Sequence, residues 1–106
     1  MRVVGTVVEQ ESGKPLAGLV VKAFDKDLLF DDKLGTATTD ANGKFRINYS
    51  SSDFSLIADM ETVPELYVRV LDSTGKKVLW TSEKAIRKDP QVEEQYDIKL
   101  PRAKLG

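Results

Sequence analysis

The sequence contains neither cysteine nor histidine. Without cysteine there is no disulfide, no thiolate metal site and no thiol nucleophile. Without histidine the commonest general base and the commonest transition-metal ligand are both missing. Zinc, haem and Ser-His-Asp chemistry lose their usual residues at a stroke. No nucleophile–base pair can be built from the ordinary set, so an enzyme is not expected and no cofactor is called for.

Charge of one sign is lacking too. Sixteen Lys and Arg stand against 17 Asp and Glu, a net charge of −1, which gives no electrostatic basis for binding nucleic acid. No apolar run approaches the roughly 18 residues that span a bilayer, so membrane insertion is not expected. The opening decapeptide, MRVVGTVVEQ, breaks its short apolar run at Gly5 and Thr6. It reads as a strand and not as a signal peptide, so the chain is expected to be a module of a longer protein. Its 106 residues are enough for one domain, 1–106, with a single core; 41% hydrophobic and 31% charged residues are ordinary for a globular chain. The isolated domain is expected to be monomeric.

What is present is a succession of short strands organised around Val20 to Tyr49. Arg2 to Glu9 alternates as a strand, with Gly5 marking a bulge or the close approach of another backbone. Glu11 to Gly18, with two glycines and a proline, is a loop. Leu19 to Phe24 is the second strand, Asp25 to Lys33 an acidic loop, and Leu34 to Thr39 the third strand. Asp40-Ala41-Asn42-Gly43 has the strongest turn chemistry in the chain: Asp and Asn bond their own backbone, and Gly43 can take a positive φ. The fourth strand should place Phe45, Ile47 and Tyr49 on one face and Arg46 and Asn48 on the other. Strands three and four are predicted to form a hairpin.

Ser50 to Pro64 is predicted to be a crossing connection pinned by Phe54, Leu56 and Ile57. Glu65 to Leu71 is the fifth strand, with Leu66, Val68 and Val70 inward. Asp72 to Gly75 makes a second hairpin turn into a sixth strand, Val78 to Thr81. Thr81 to Glu93, charged and with Pro90, is a loop or an irregular edge. The seventh strand, Gln95 to Leu100, turns Tyr96, Ile98 and Leu100 inward, and Pro101 ends it. Seven short strands and no amphipathic helix predict an all-β fold, a seven-stranded Greek-key β-sandwich.

Four places could carry function. Asp25, Asp27, Asp31 and Asp32 crowd the acidic loop, with Asp40 and Asn42 on a nearby turn, and calcium takes six to eight such hard oxygens. Lys26 and Lys33 offset the cluster, and a solvated loop is the commoner outcome, so no metal is assigned. Trp80 is expected in the core beside its alternation partner Val78. Leu28-Leu29-Phe30 is either a recognition patch or the loop's own anchor. Lys84, Arg87 and Lys88 are expected to form a solvated basic face and not a phosphate site.

G-x-V at Gly5 and Val7, S-G-K-P-L-A-G from Ser12 to Gly18, and T-D-A-N-G-K-F from Thr39 to Phe45 resemble a known group over nearly the whole chain. It is the carboxypeptidase regulatory-like domains, which share the transthyretin (prealbumin-like) sandwich. A-F-D-K-D at Ala23 to Asp27, L-G at Leu34 and Gly35, and L-Y-V-R-V at Leu66 to Val70 are similar to a bacterial branch. There such modules sit inside large secreted or cell-surface proteins. The resemblance implies a scaffold, spacer or binding module whose partners are neighbouring domains or another protein.

The motifs are mostly turn chemistry, specific for fold and weak for function. Active relatives of the architecture depend on residues this chain lacks. Transthyretin-like 5-hydroxyisourate hydrolases use histidines and a terminal Tyr-Arg-Gly-Ser. Intradiol dioxygenases hold iron with tyrosine and histidine. Collagen-adhesin B-type domains form an isopeptide bond from a first-strand lysine, and Arg2 to Gln10 has none. The expectation is therefore a non-catalytic structural or protein-interaction module. The alternative is a calcium- or glycan-binding module using the loop Asp25 to Asp32 or the aromatic positions.

Overall fold

The computed structural model describes residues 1–26, 31–50, 65–88 and 90–105. Seven strands run in order: β1 (Arg2–Glu9), β2 (Val20–Asp25), β3 (Asp32–Thr38), β4 (Lys44–Asn48), β5 (Leu66–Leu71), β6 (Val78–Thr81) and β7 (Glu93–Leu100). They form a three-stranded sheet, β4-β1-β7, and a four-stranded sheet, β3-β2-β5-β6. Period-two alternation gives each sheet one apolar face, and the two faces pack as a sandwich. Val3, Val7, Phe45, Ile47, Tyr96, Ile98 and Leu100 from the small sheet meet Val21, Ala23, Leu34, Leu66, Val68 and Val70 from the large one. Among the described residues no helix is long and apolar enough to cross a membrane.

β1 is the centre of the small sheet, antiparallel to β4 and parallel to β7. Gly5 is the close approach expected of it: a Cβ there would lie 2.3 Å from the Tyr96 carbonyl oxygen and 2.7 Å from the Phe45 ring. Phe45, Ile47 and Tyr49 are buried and Arg46 and Asn48 exposed, as the alternation predicts.

The predicted hairpin of the third and fourth strands does not form. β3 and β4 lie in different sheets. Thr39 still donates its N–H to Leu19 O on the large sheet, whereas Gly43 O already accepts the Val7 N–H on the small one. Between them the Asp40 turn closes on itself, with Gly43 N–H to Asp40 O at 2.9 Å and Gly43 at φ 73°. Gly35 makes the crossing possible, because a Cβ on it would lie 2.5 Å from Ile47 Cγ2. β3 thus passes over β4 instead of beside it. The second turn, Asp72 to Gly75, does join paired strands, β5 and β6.

Strand bounds also shift. β2 runs through Asp25 and β3 begins at Asp32, and these two aspartates are register partners, which shortens the acidic loop at both ends. β7 begins at Glu93, and a 3-10 turn, Glu83–Ala85, interrupts the segment before it. The connection assigned to Phe54, Leu56 and Ile57 lies outside the described residues.

Candidate functional site

In the β2–β3 region Asp25 and Asp31 are drawn to different partners. Asp25 is 4% exposed, and its carboxylate accepts the Glu65 N–H at 2.8 Å. Asp31 accepts the hydroxyl of Tyr67, with Lys26 Nζ 3.6 Å away. Asp32 lies on β3, where its Oδ2 is buried and meets no donor among the described residues. Asp27 and the triplet Leu28-Leu29-Phe30 are outside the described residues. Among the described residues no three His, Cys, Asp or Glu groups are arranged to hold a metal.

Around them runs a network on the outer face of the large sheet. Phe24 stacks on Tyr67, ring centres 5.1 Å apart, and the Arg69 guanidinium lies 5.0 Å from the Phe24 centre. Glu83 joins Arg69 at 3.1 Å and Lys26 at 2.8 Å. Its carboxyl is held below the usual range by the hydrogen bond from Lys26, then by that from Arg69. Burial, with the hydrogen bond to Asp31 second, pushes the Tyr67 phenol well above the ordinary tyrosine range. Tyr67 is fully buried, which the period-two pattern of the fifth strand does not anticipate. Groups fixed in this way brace the sheet.

Arg87 departs from the predicted solvated basic face. Its Nη1 donates to Glu94 Oε1 at 2.7 Å and to Gln95 O at 2.8 Å, and its guanidinium carbon sits 3.7 Å from the centre of the Tyr96 ring. Lys84 and Lys88 do remain exposed. Trp80 packs against the core, half-buried and edge-on to Tyr96 at 6.5 Å. Its supposed partner Val78 is 47% exposed instead, because a register shift in the β5–β6 pairing inserts Leu79, which is buried. A one-residue slip of this kind exchanges the faces of a strand.

An open groove of about 510 Å³ runs along the small sheet and takes in Ala37 and Thr38 at the end of β3 and Asp40 of the crossing turn. Val4 and Thr6 of β1 form its floor, Lys44 and Arg46 of β4 one wall, and Gln95 of β7 the other. Among the described residues Arg46 Nε reaches Asn48 Oδ1, at 3.3 Å, and Lys44 enters no salt bridge, though its charge helps to hold the Asp40 carboxyl below the usual range. Hydroxyls, an amide, a carboxylate and two cations line it, a set that can hydrogen-bond an extended segment. The signal was present in the sequence, since Arg46 alternates with the buried Phe45 and Ile47, but a polar strand face ordinarily means solvent.

Comparison with known proteins follows the fold. The model of the transthyretin-like family, TTR-52, matches residues 12–92. No curated protein matches the chain. Among solved structures the chain is similar to the crystal structure of a 9R-lipoxygenase from Cyanothece PCC8801, at 24% identity and a TM-score of 0.63. The match covers 92% of this chain but only 15% of that one, and at this identity the likeness is one of fold.

Proposed function

As the chain belongs to the transthyretin-like family, we propose that it is a non-catalytic β-sandwich module, Greek-key in its connections, that holds a neighbouring domain or a protein partner within a larger protein. The observation that carries this reading is the fit of 92% of the chain to 15% of a much longer one, so that a fold of this kind occupies a small part of that chain. The spent state of the ionisable groups agrees with it: Asp25, Asp31, Glu83 and Arg87 all tie segments of the fold together. The groove between Arg46 and Gln95 is the surface offered to the partner. The motif resemblance to modules of bacterial secreted and surface proteins supports a place in such a protein.

Lysine-directed cross-linking of the full-length protein tests this. Lys44 stands at the groove, and Lys22 on the opposite sheet. Links from Lys44 to residues beyond 1–106, or to a second protein, are expected. Links that leave the domain only from Lys22, or not at all, would overturn the reading.

A further inference from the structure

β7 is the outer strand of the small sheet, paired among the described residues with β1 alone. The N–H of Arg2 reaches Val92 O and that of Gln10 reaches Leu100 O, both at 2.8 Å. In a parallel pair this turns the backbone of Glu94, Tyr96 and Ile98 toward β1, and that of Glu93, Gln95, Asp97 and Lys99 away from it. An eight-residue edge without proline is a template for another strand. One of its outward carbonyls, that of Gln95, is already taken by Arg87 Nη1. The arginine is fastened from the opposite sheet, because its backbone N–H and C=O both pair with Leu66 at 2.9 Å.

We propose that Arg87 is a latch that keeps the β7 edge from pairing with β7 of a second copy of this chain. The partner follows from charge. Antiparallel pairing centred on Tyr96 sets Gln95 opposite Asp97 and Glu93 opposite Lys99, and symmetry gives the opposite-charge pair twice. Centring on Gln95 sets Glu93 against Asp97, and centring on Asp97 sets that residue against itself; both oppose like charges. A centre at Ile98 overlaps only residues 96–100. In the favoured register the Asp97 N–H of one copy needs the Gln95 carbonyl of the other. That oxygen is the one Arg87 occupies.

Sedimentation velocity on Arg87→Met tests the latch, since methionine keeps apolar packing over Tyr96 but donates nothing. The unsubstituted chain is expected to sediment as a monomer, and Arg87→Met as a dimer with a dissociation constant lower by about tenfold or more. Adding Asp97→Pro removes an N–H that faces away from β1 and should restore the monomer. Lys99→Glu in the Arg87→Met chain should do the same, and Glu93→Lys on top of it should bring the dimer back. A folded Arg87→Met chain that stays monomeric overturns the proposal. So does a dimer that survives Asp97→Pro, or an unsubstituted chain that is already dimeric. If circular dichroism shows Arg87→Met unfolded, Arg87→Gln is read in the same way; if both are unfolded, the arginine is structural and the latch is wrong.

Discussion

Gly43 and Val7 are locked backbone to backbone. The Val7 N–H donates to Gly43 O at 2.8 Å, and a Cβ on Gly43 would stand 2.4 Å from Val7 O. Gly75 has the same conformation, φ 74° against 73°, yet its nearest neighbour to a Cβ is Val20 Cγ2 at 4.0 Å. The two positions therefore separate strain from collision. Gly75→Ala should cost about 1–2 kcal/mol, the left-handed penalty alone. Gly43→Ala should cost about 2–4 kcal/mol, because β1 must also move. Urea unfolding of both variants checks this, and equal losses would mean that the crossing turn yields freely.

Phe45 lies against Gly5 in the core. Phe45→Ala should destabilise by about 3–5 kcal/mol. Gly5→Ala should be destabilising too, and shrinking the ring with Phe45→Leu should not rescue it. The Tyr96 carbonyl oxygen, 2.3 Å from the added carbon, remains in place. Recovery in the double variant would show that the ring is the only obstacle.

The two turn aspartates predict an acid limb. The Asp40 carboxyl is held below the usual range by the Lys44 N–H and then the Asn42 N–H, and Asp72 chiefly by the Thr74 hydroxyl. A carboxyl whose pKa is lowered by folding adds stability above its unfolded value, about 3.9, and loses it as the pH falls through the folded value. Asp40→Asn with Asp72→Asn should flatten the stability profile below roughly pH 4 while leaving the turns closed. Urea midpoints from acid to neutral pH measure the slope, and an unchanged slope rules these carboxyls out as its source.

Millimolar calcium should leave the melting temperature unchanged. A genuine site at 100 times its dissociation constant would add about 2.7 kcal/mol. In a domain of this size that raises the midpoint by roughly 10 °C or more. A calcium-dependent rise that Asp25→Asn with Asp27→Asn abolishes would turn the acidic loop into a ligand site.

The strands themselves were legible because burial on one face imposes period two, and Phe45, Ile47, Tyr96, Ile98 and Leu100 all obey it. What followed each turn was not. Asp40-Ala41-Asn42-Gly43 and Asp72-Ser73-Thr74-Gly75 close in the same way, each aspartate accepting the N–H groups two and four residues on. One changes sheets and the other joins neighbours, a choice made by Gly35 and Ile47 at a distance. Val78 escapes the alternation because a bulge erases the period locally. Arg87 reads as a surface charge in the sequence because nothing near it announces Tyr96. The groove as a whole has no local signal because its residues come from four strands of both sheets and the Asp40 turn, which only the fold brings together.

The central place of β1 sets a timetable for synthesis. Arg2 pairs with Glu93 across 91 residues of chain, whereas the four strands of the large sheet are all made before β7. At roughly 5–20 residues per second, the apolar face of Val3 and Val7 leaves the ribosome several seconds ahead of the strand that completes its sheet. During that interval β1 can have one neighbour, β4, but not two. A nascent chain stalled before Glu93 should therefore hold β1 by one edge only, exposed to chaperones and to proteolysis.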